Sequence, residues 1–279
     1  MRLAISNIAW DIAEDEAIVS LLTQYRIDAI DVAPGKYFPN PAEASTADIL
    51  AVKNWWAERG VEITGMQSLL FGTSGLNLFG PAESQQAMFK HLSHVCRIAG
   101  VLGAKKMVFG SPKNRDRTGI NDAQALEMAA GFFTQLGDIA QQEGVTICLE
   151  PNPTHYGANF MINSAETAAV VRSVAHPAIL MQLDTGALTM NNETAKTVLR
   201  EAVELIGHVH ASEPDLVPLG DGATNHAQVY AALKQYLPES LVSVEMVATK
   251  NELHLTAIER ALKVAIQAYQ PNRAAEQSL

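Results

Sequence analysis

Four acid or imidazole side chains stand at the ends of apolar runs in the second half of the chain. Glu150 closes Val145-Thr146-Ile147-Cys148-Leu149, and Asp184 closes the run from Ile179 to Leu183. His210 follows the run from Ile206 to Val209, and Glu245 follows the run from Leu241 to Val244. Successive members are 34, 26 and 35 residues apart, each close to one strand-plus-helix unit. A carboxylate at the end of a buried strand is costly to desolvate unless something pairs with it. Three carboxylates aimed at one place would repel one another without a cation. One imidazole added to them makes a donor set suited to a divalent ion such as Mn, Co, Mg or Zn.

Each residue also has a plainer reading. Glu150 could cap a loop or pair with a nearby Lys or Arg. Asp184 could bind the backbone amides of the Asp184-Thr185-Gly186 turn. His210 could be a satisfied histidine of the His208-Val209-His210 strand, on the same face as His208. Glu245 could pair with Lys250. The repetition at equivalent ends of successive units is what favours a shared site.

The elements that must position these residues alternate along the whole chain. Short apolar runs start near Leu3, Ile27, Val61, Lys106, Val145, Ile179, Ile206 and Leu241. Between them lie stretches with helical spacing, at about 14–25, 46–59, 81–102, 121–143, 164–174, 193–205, 227–237 and 252–269. Thr46 and Ser164 are the expected N-caps of two of these helices. Alternation of this kind calls for a parallel sheet with helical crossovers. Eight units in 279 residues point to a single-domain α/β fold, a closed (β/α)8 TIM barrel over residues 1–270 with a polar tail at 271–279. The competing open sheet calls for a glycine-rich fingerprint after the first strand, and Ser6-Asn7-Ile8-Ala9-Trp10 is not one. In such a barrel the strand C-termini form the active-site face.

The formal net charge of −10 argues against sequence-independent nucleic-acid binding and against an anionic membrane surface. No apolar run approaches the roughly 18 residues that a membrane span needs. Cys96 and Cys148 both fall in apolar patterns and read as reduced core residues. The N-terminus shows no signal-peptide pattern, so the cytoplasm is the expected location.

The runs LEPNP, MQLDTG, GHVHASEPD and VSVEM resemble the xylose isomerase-like barrel superfamily. That group of sugar phosphate isomerases and epimerases also holds ketose 3-epimerases and endonuclease IV. The resemblance implies that Glu150, Asp184, His210 and Glu245 ligate one divalent metal, manganese among the choices. It also implies that Glu150 and Glu245 are the catalytic acid/base pair, moving a proton next to a carbonyl through an enediolate. Related enzymes are often dimers or tetramers. The expected substrate is a sugar or sugar derivative, free or phosphorylated.

Two positions depart from the ketose epimerases. Ala187 stands where they carry a histidine, and Leu216 where they carry an arginine. A keto-sugar lyase, dehydratase or decarboxylase on the same metal site is therefore the alternative. An abasic-site endonuclease is less favoured, because Met66-Gln67-Ser68, Gly110-Ser111 and Ala187 offer none of that branch's extra histidines. The expected substrate-contacting residues are Trp10, Gln67 and His208, the loop histidines His155 and His226, and the cations Lys113 and Arg115. The last two sit in Ser111–Arg117, a loop whose charge suits a phosphate or carboxylate. Tyr37, Phe38 and Phe71 join Trp10 as aromatic residues that could wall a sugar pocket.

Overall fold

In the computed structural model, which describes residues 1–276, eight parallel strands close on themselves in chain order. They are β1 (Arg2–Ser6), β2 (Ala29–Val32), β3 (Glu62–Met66), β4 (Lys106–Phe109), β5 (Thr146–Leu149), β6 (Ile179–Asp184), β7 (Ile206–Ser212) and β8 (Leu241–Glu245). β1 pairs with both β2 and β8, so the sheet has no free edge. Strands of such a barrel are covered on both faces, which is why they read as continuous apolar runs rather than alternating ones. All four residues of β2 are buried, for example.

Helices at Asp15–Gln24, Thr46–Ala57, Ala82–Leu102, Asp122–Gln142, Ser164–Val174, Ala195–Ala202, His226–Tyr236 and His254–Tyr269 cover the barrel. Ala82–Leu102 buries Leu92, Val95, Cys96, Ala99 and Leu102, the stripe that a period of 3.6 residues places on one face. Cys96 and Cys148 are both free and buried. Among the described residues, no helix is long and apolar enough to cross a membrane.

The helix starts differ from expectation by one residue at two places. Ser45, not Thr46, accepts from the Asp48 N–H at 3.1 Å, and the Asp48 carboxylate returns the bond to Ser45. Asn163, not Ser164, accepts from the Glu166 N–H at 2.8 Å. A cap must lie outside the helix with its side-chain oxygen over the third residue, and these two residues have that geometry. A short helix at Thr185–Met190, unforeseen in the sequence, starts directly from the end of β6. Within the expected tail, Pro271–Glu276 is helical, and residues 277–279 lie outside the described residues. β7 runs on to Ser212, so His210 lies inside the strand rather than just after it.

Candidate metal centre

The strand ends bring Glu150, Asp184, His210 and Glu245 together. One donor atom from each lies within 4.8 Å of the others, and all four residues are buried. His210 Nδ1 sits 3.2 Å from Glu245 Oε2 and 3.8 Å from Glu150 Oε1. The remaining carboxylate oxygens are held by the protein. Gln67 donates to Glu245 Oε1 at 2.6 Å, and Asn152 donates to Glu150 Oε2 at 3.0 Å. Asp184 caps the short helix through the Ala187 N–H at 2.6 Å, while its other oxygen accepts from the Ser212 hydroxyl at 2.6 Å. The plainer reading of Asp184 thus holds alongside its place in the cluster.

Glycine makes room for Glu150. A Cβ at Gly110 would lie 1.8 Å from Glu150 Oε2, closer than any real contact. The residue just after β4 therefore has to lack a side chain for the residue just after β5 to point where it does.

The other edge of His210 faces a carboxylate that sequence reasoning missed. Asp31, on β2 and fully buried, accepts from His208 Nε2 at 2.8 Å and lies 3.6 Å from His210 Nε2. Gly65 clears its space, since a Cβ there would fall 2.3 Å from Asp31 Oδ1. An acid inside the apolar run Ile30-Asp31-Val32 was the available signal, because a buried strand tolerates a carboxylate only with a partner.

The cluster is electrostatically strained. Burial, then the charges of Glu245 and Asp184, push the Glu150 carboxyl well above the ordinary range. Burial and Glu245 raise Asp184 in the same way. Burial alone would lower His210, but Glu245 and Asp31 overcome it and favour the charged ring. A divalent cation at this point would replace the proton that the carboxylates otherwise compete for. Three carboxylates and one imidazole, all buried and with one donor atom each converging, fit such an ion.

The residues expected to contact substrate fall into three groups. Gln67 and His208 are buried and touch the cluster or its support, as above. Lys113 and His155 are exposed. Lys113 donates to the Thr73 carbonyl at 3.3 Å, and His155 Nε2 lies 3.0 Å from Asp215 Oδ1. Trp10, Arg115 and His226 are buried against the protein itself. Trp10 is a core residue whose Nε1 donates to Asp15 at 2.7 Å, so its ring has no free face for a sugar. His226 is held between Glu213 and Tyr269, at 3.2 and 2.7 Å. Arg115 donates to Asn152 Oδ1 at 2.5 Å. Of the other aromatic residues, Phe38 is buried and Phe71 is 83% exposed, so neither walls a closed pocket. Trp10, Arg115 and His226 read as mouth residues from their places in the sequence, but Asp15, Asn152, and Glu213 with Tyr269 hold them within the protein.

A family model described as the xylose isomerase-like TIM barrel matches residues 20–269. L-ribulose 3-epimerase from Methylomonas sp. (strain DH-1) is 35% identical over 102 residues, covering 36% of this chain and 35% of that protein. The chain thus matches about a third of that relative's length. A solved L-ribulose 3-epimerase superposes with a TM-score of 0.81 at 17% identity, over 99% of this chain and 97% of its own. D-psicose 3-epimerase from Clostridium cellulolyticum H10, solved with D-tagatose, gives 0.80 at 17% identity, over 96% and 99%. At these identities the solved structures show a shared fold.

Proposed function

The chain belongs to the xylose isomerase-like TIM barrel family, and on that premise we propose that it is a divalent-metal-dependent isomerase or epimerase. Its substrate class is a sugar, sugar phosphate or keto-sugar. The observation that carries the reading is the buried convergence of Glu150, Asp184, His210 and Glu245. These four would hold one ion of the Mn, Co, Mg or Zn kind. When bound, the ion supplies positive charge that polarises a substrate carbonyl and its neighbouring hydroxyl.

The protein's own groups do the proton work. Glu150 comes from β5 and Glu245 from β8, strands that are not neighbours in the closed barrel. The two carboxylates therefore reach the mouth from different sides. One removes the proton next to the carbonyl, leaving an enediolate, and the other returns a proton to the opposite face. Asn152 and Gln67 each hold one oxygen of a glutamate, which fixes how that carboxylate is turned in the cluster. The ketose 3-epimerase relatives support a sugar substrate. Cytoplasmic location and assembly as a dimer or tetramer belong to the same reading.

A second reading rests on Ala187 and Leu216. Ala187 is buried with its N–H on Asp184, and Leu216 is held in left-handed backbone at φ 53°. Neither offers the substrate the charged or imidazole group found in ketose epimerases. The same metal site would then serve a keto-sugar lyase, dehydratase or decarboxylase. Incubating a panel of keto-sugars with the Mn-loaded protein in D2O and following it by NMR separates the two. Deuterium next to the carbonyl in a product of unchanged composition supports the isomerase or epimerase. Loss of water or of a carbon fragment supports the second reading, and neither exchange nor loss with any keto-sugar sinks both.

A further inference from the structure

Arg115 is an unusual group to find at this depth. It is fully buried, yet among the described residues no carboxylate pairs with it. Its Nε and Nη1 have no hydrogen-bond partner within the protein. Burial pulls its pKa down to about 10, and the nearby Glu150 and Glu166 charges resist the fall. An uncompensated buried guanidinium costs stability. At zero exposure it does not offer a docking point for a substrate anion.

What Arg115 does reach is Asn152. The amide of Asn152 accepts from Arg115 Nη2 at 2.5 Å and donates to Glu150 Oε2 at 3.0 Å. An amide can turn either end to a neighbour, but a guanidinium has only donors. Arg115 therefore forces Asn152 Oδ1 toward itself and Nδ2 toward Glu150. With Oε2 tied down, Glu150 Oε1 is the oxygen left facing His210 Nδ1. The loop that carries Arg115 is itself anchored. Asn114 donates to the Leu76 carbonyl at 2.8 Å, and its own carbonyl accepts from the Leu78 N–H at 2.9 Å. Asn152 is pinned from the other side, its N–H donating to the Met161 carbonyl at 2.9 Å.

We infer that Arg115 is a positioning residue, which acts through Asn152 to fix the Glu150 carboxylate in the orientation that binds the metal. The inference rests on the reading of Glu150 as a metal ligand. It reassigns a residue whose sequence context suggested an anion site.

The test is a calorimetric titration of Mn2+ into the full chain and three variants, with melting temperatures measured in parallel. Arg115→Met frees the amide to turn, and Asn152→Ala removes the link. Each should weaken Mn2+ binding by about tenfold to a hundredfold, the usual effect of losing a support behind a ligand. The double variant should be no weaker than the worse single one, because both act along one path. Arg115→Lys, still donor-only, should recover part of the loss. If Arg115→Met does not fold, Asn152→Ala and Arg115→Lys carry the test by the same criteria. Mn2+ affinity within twofold of wild type in Asn152→Ala and in either Arg115 variant overturns the positioning role alone. Failure of the wild-type chain to bind Mn2+ overturns the metal-site reading and this inference with it.

Discussion

Two of the buried carboxylate and imidazole clusters among the described residues are opposite in how they are satisfied. Glu213, His226 and Tyr269 form the first. Glu213 accepts from the N–H groups of Gly220 and Thr224 at 3.0 and 2.9 Å, and from His226 Nε2 at 3.2 Å. The other ring nitrogen of His226 meets the Tyr269 hydroxyl at 2.7 Å. Burial alone would raise the Glu213 carboxyl, but these hydrogen bonds hold it down at about 2. The second cluster has three carboxylates around one imidazole, and there Glu150 and Asp184 are pushed upward instead. The first cluster is complete as the protein stands, and it ties the loop after β7 to the helix His254–Tyr269. The second is the one that a cation would complete. In the first cluster hydrogen bonds hold the acid below its ordinary range; in the second Glu150 and Asp184 are crowded above it, and Glu245, set against His210, is lowered.

Substitutions should break this contrast in order of size. On the proposed roles of Glu150 as proton carrier and ligand, Glu150→Gln should lower kcat on the responsive keto-sugar by roughly a thousandfold or more. The same change removes a repelling charge, so the melting temperature without added metal should hold or rise. A lower melting temperature with activity kept would place Glu150 with the structural cluster. Gly110→Ala puts a methyl group where Glu150 Oε2 lies, 1.8 Å from it. It should weaken Mn2+ binding by about tenfold to a hundredfold, read by calorimetry.

The smallest expected effect belongs to the satisfied cluster. Glu213→Gln should cost roughly 2 kcal/mol at neutral pH while leaving Mn2+ affinity near wild type. The sign with pH follows from the lowered carboxyl. Its contribution is complete above the ordinary carboxylate range, near 4.5, and is lost as the pH falls toward about 2. Urea melts from pH 6 to pH 2.5 should show the wild type losing its advantage over Glu213→Gln across that window. A constant gap between the two would contradict the assignment.

Much of this arrangement was legible in the sequence, for a physical reason. A (β/α)8 barrel writes its strands as short apolar runs cut off by polar residues, and the residue at the cut is the one at the mouth. Glu150, Asp184 and Glu245 were visible because each sits at such a cut, and His210 because its ring interrupts the apolar run of β7 two residues before the strand ends. Asp31 was not, because it lies within a run and its partners are His208 and His210 on β7, across the barrel. Trp10 and His226 follow strand ends or loops and read as lining residues. Their real partners are a carboxylate five residues on and a tyrosine on the last long helix. Gly65 and Gly110 carried no pattern at all, since the need for a missing side chain comes from the neighbouring strand. Periodicity shows which face a residue takes, and it is silent on what that residue meets there.

The central claim is that the four strand-end residues hold one divalent ion. Equilibrium dialysis against Mn2+ with elemental analysis, on the wild-type chain and on Glu245→Gln, tests it most directly. One ion per chain in the wild type and at least hundredfold weaker binding in Glu245→Gln is the predicted result. No bound ion in the wild type, or equal binding by both proteins, would contradict it.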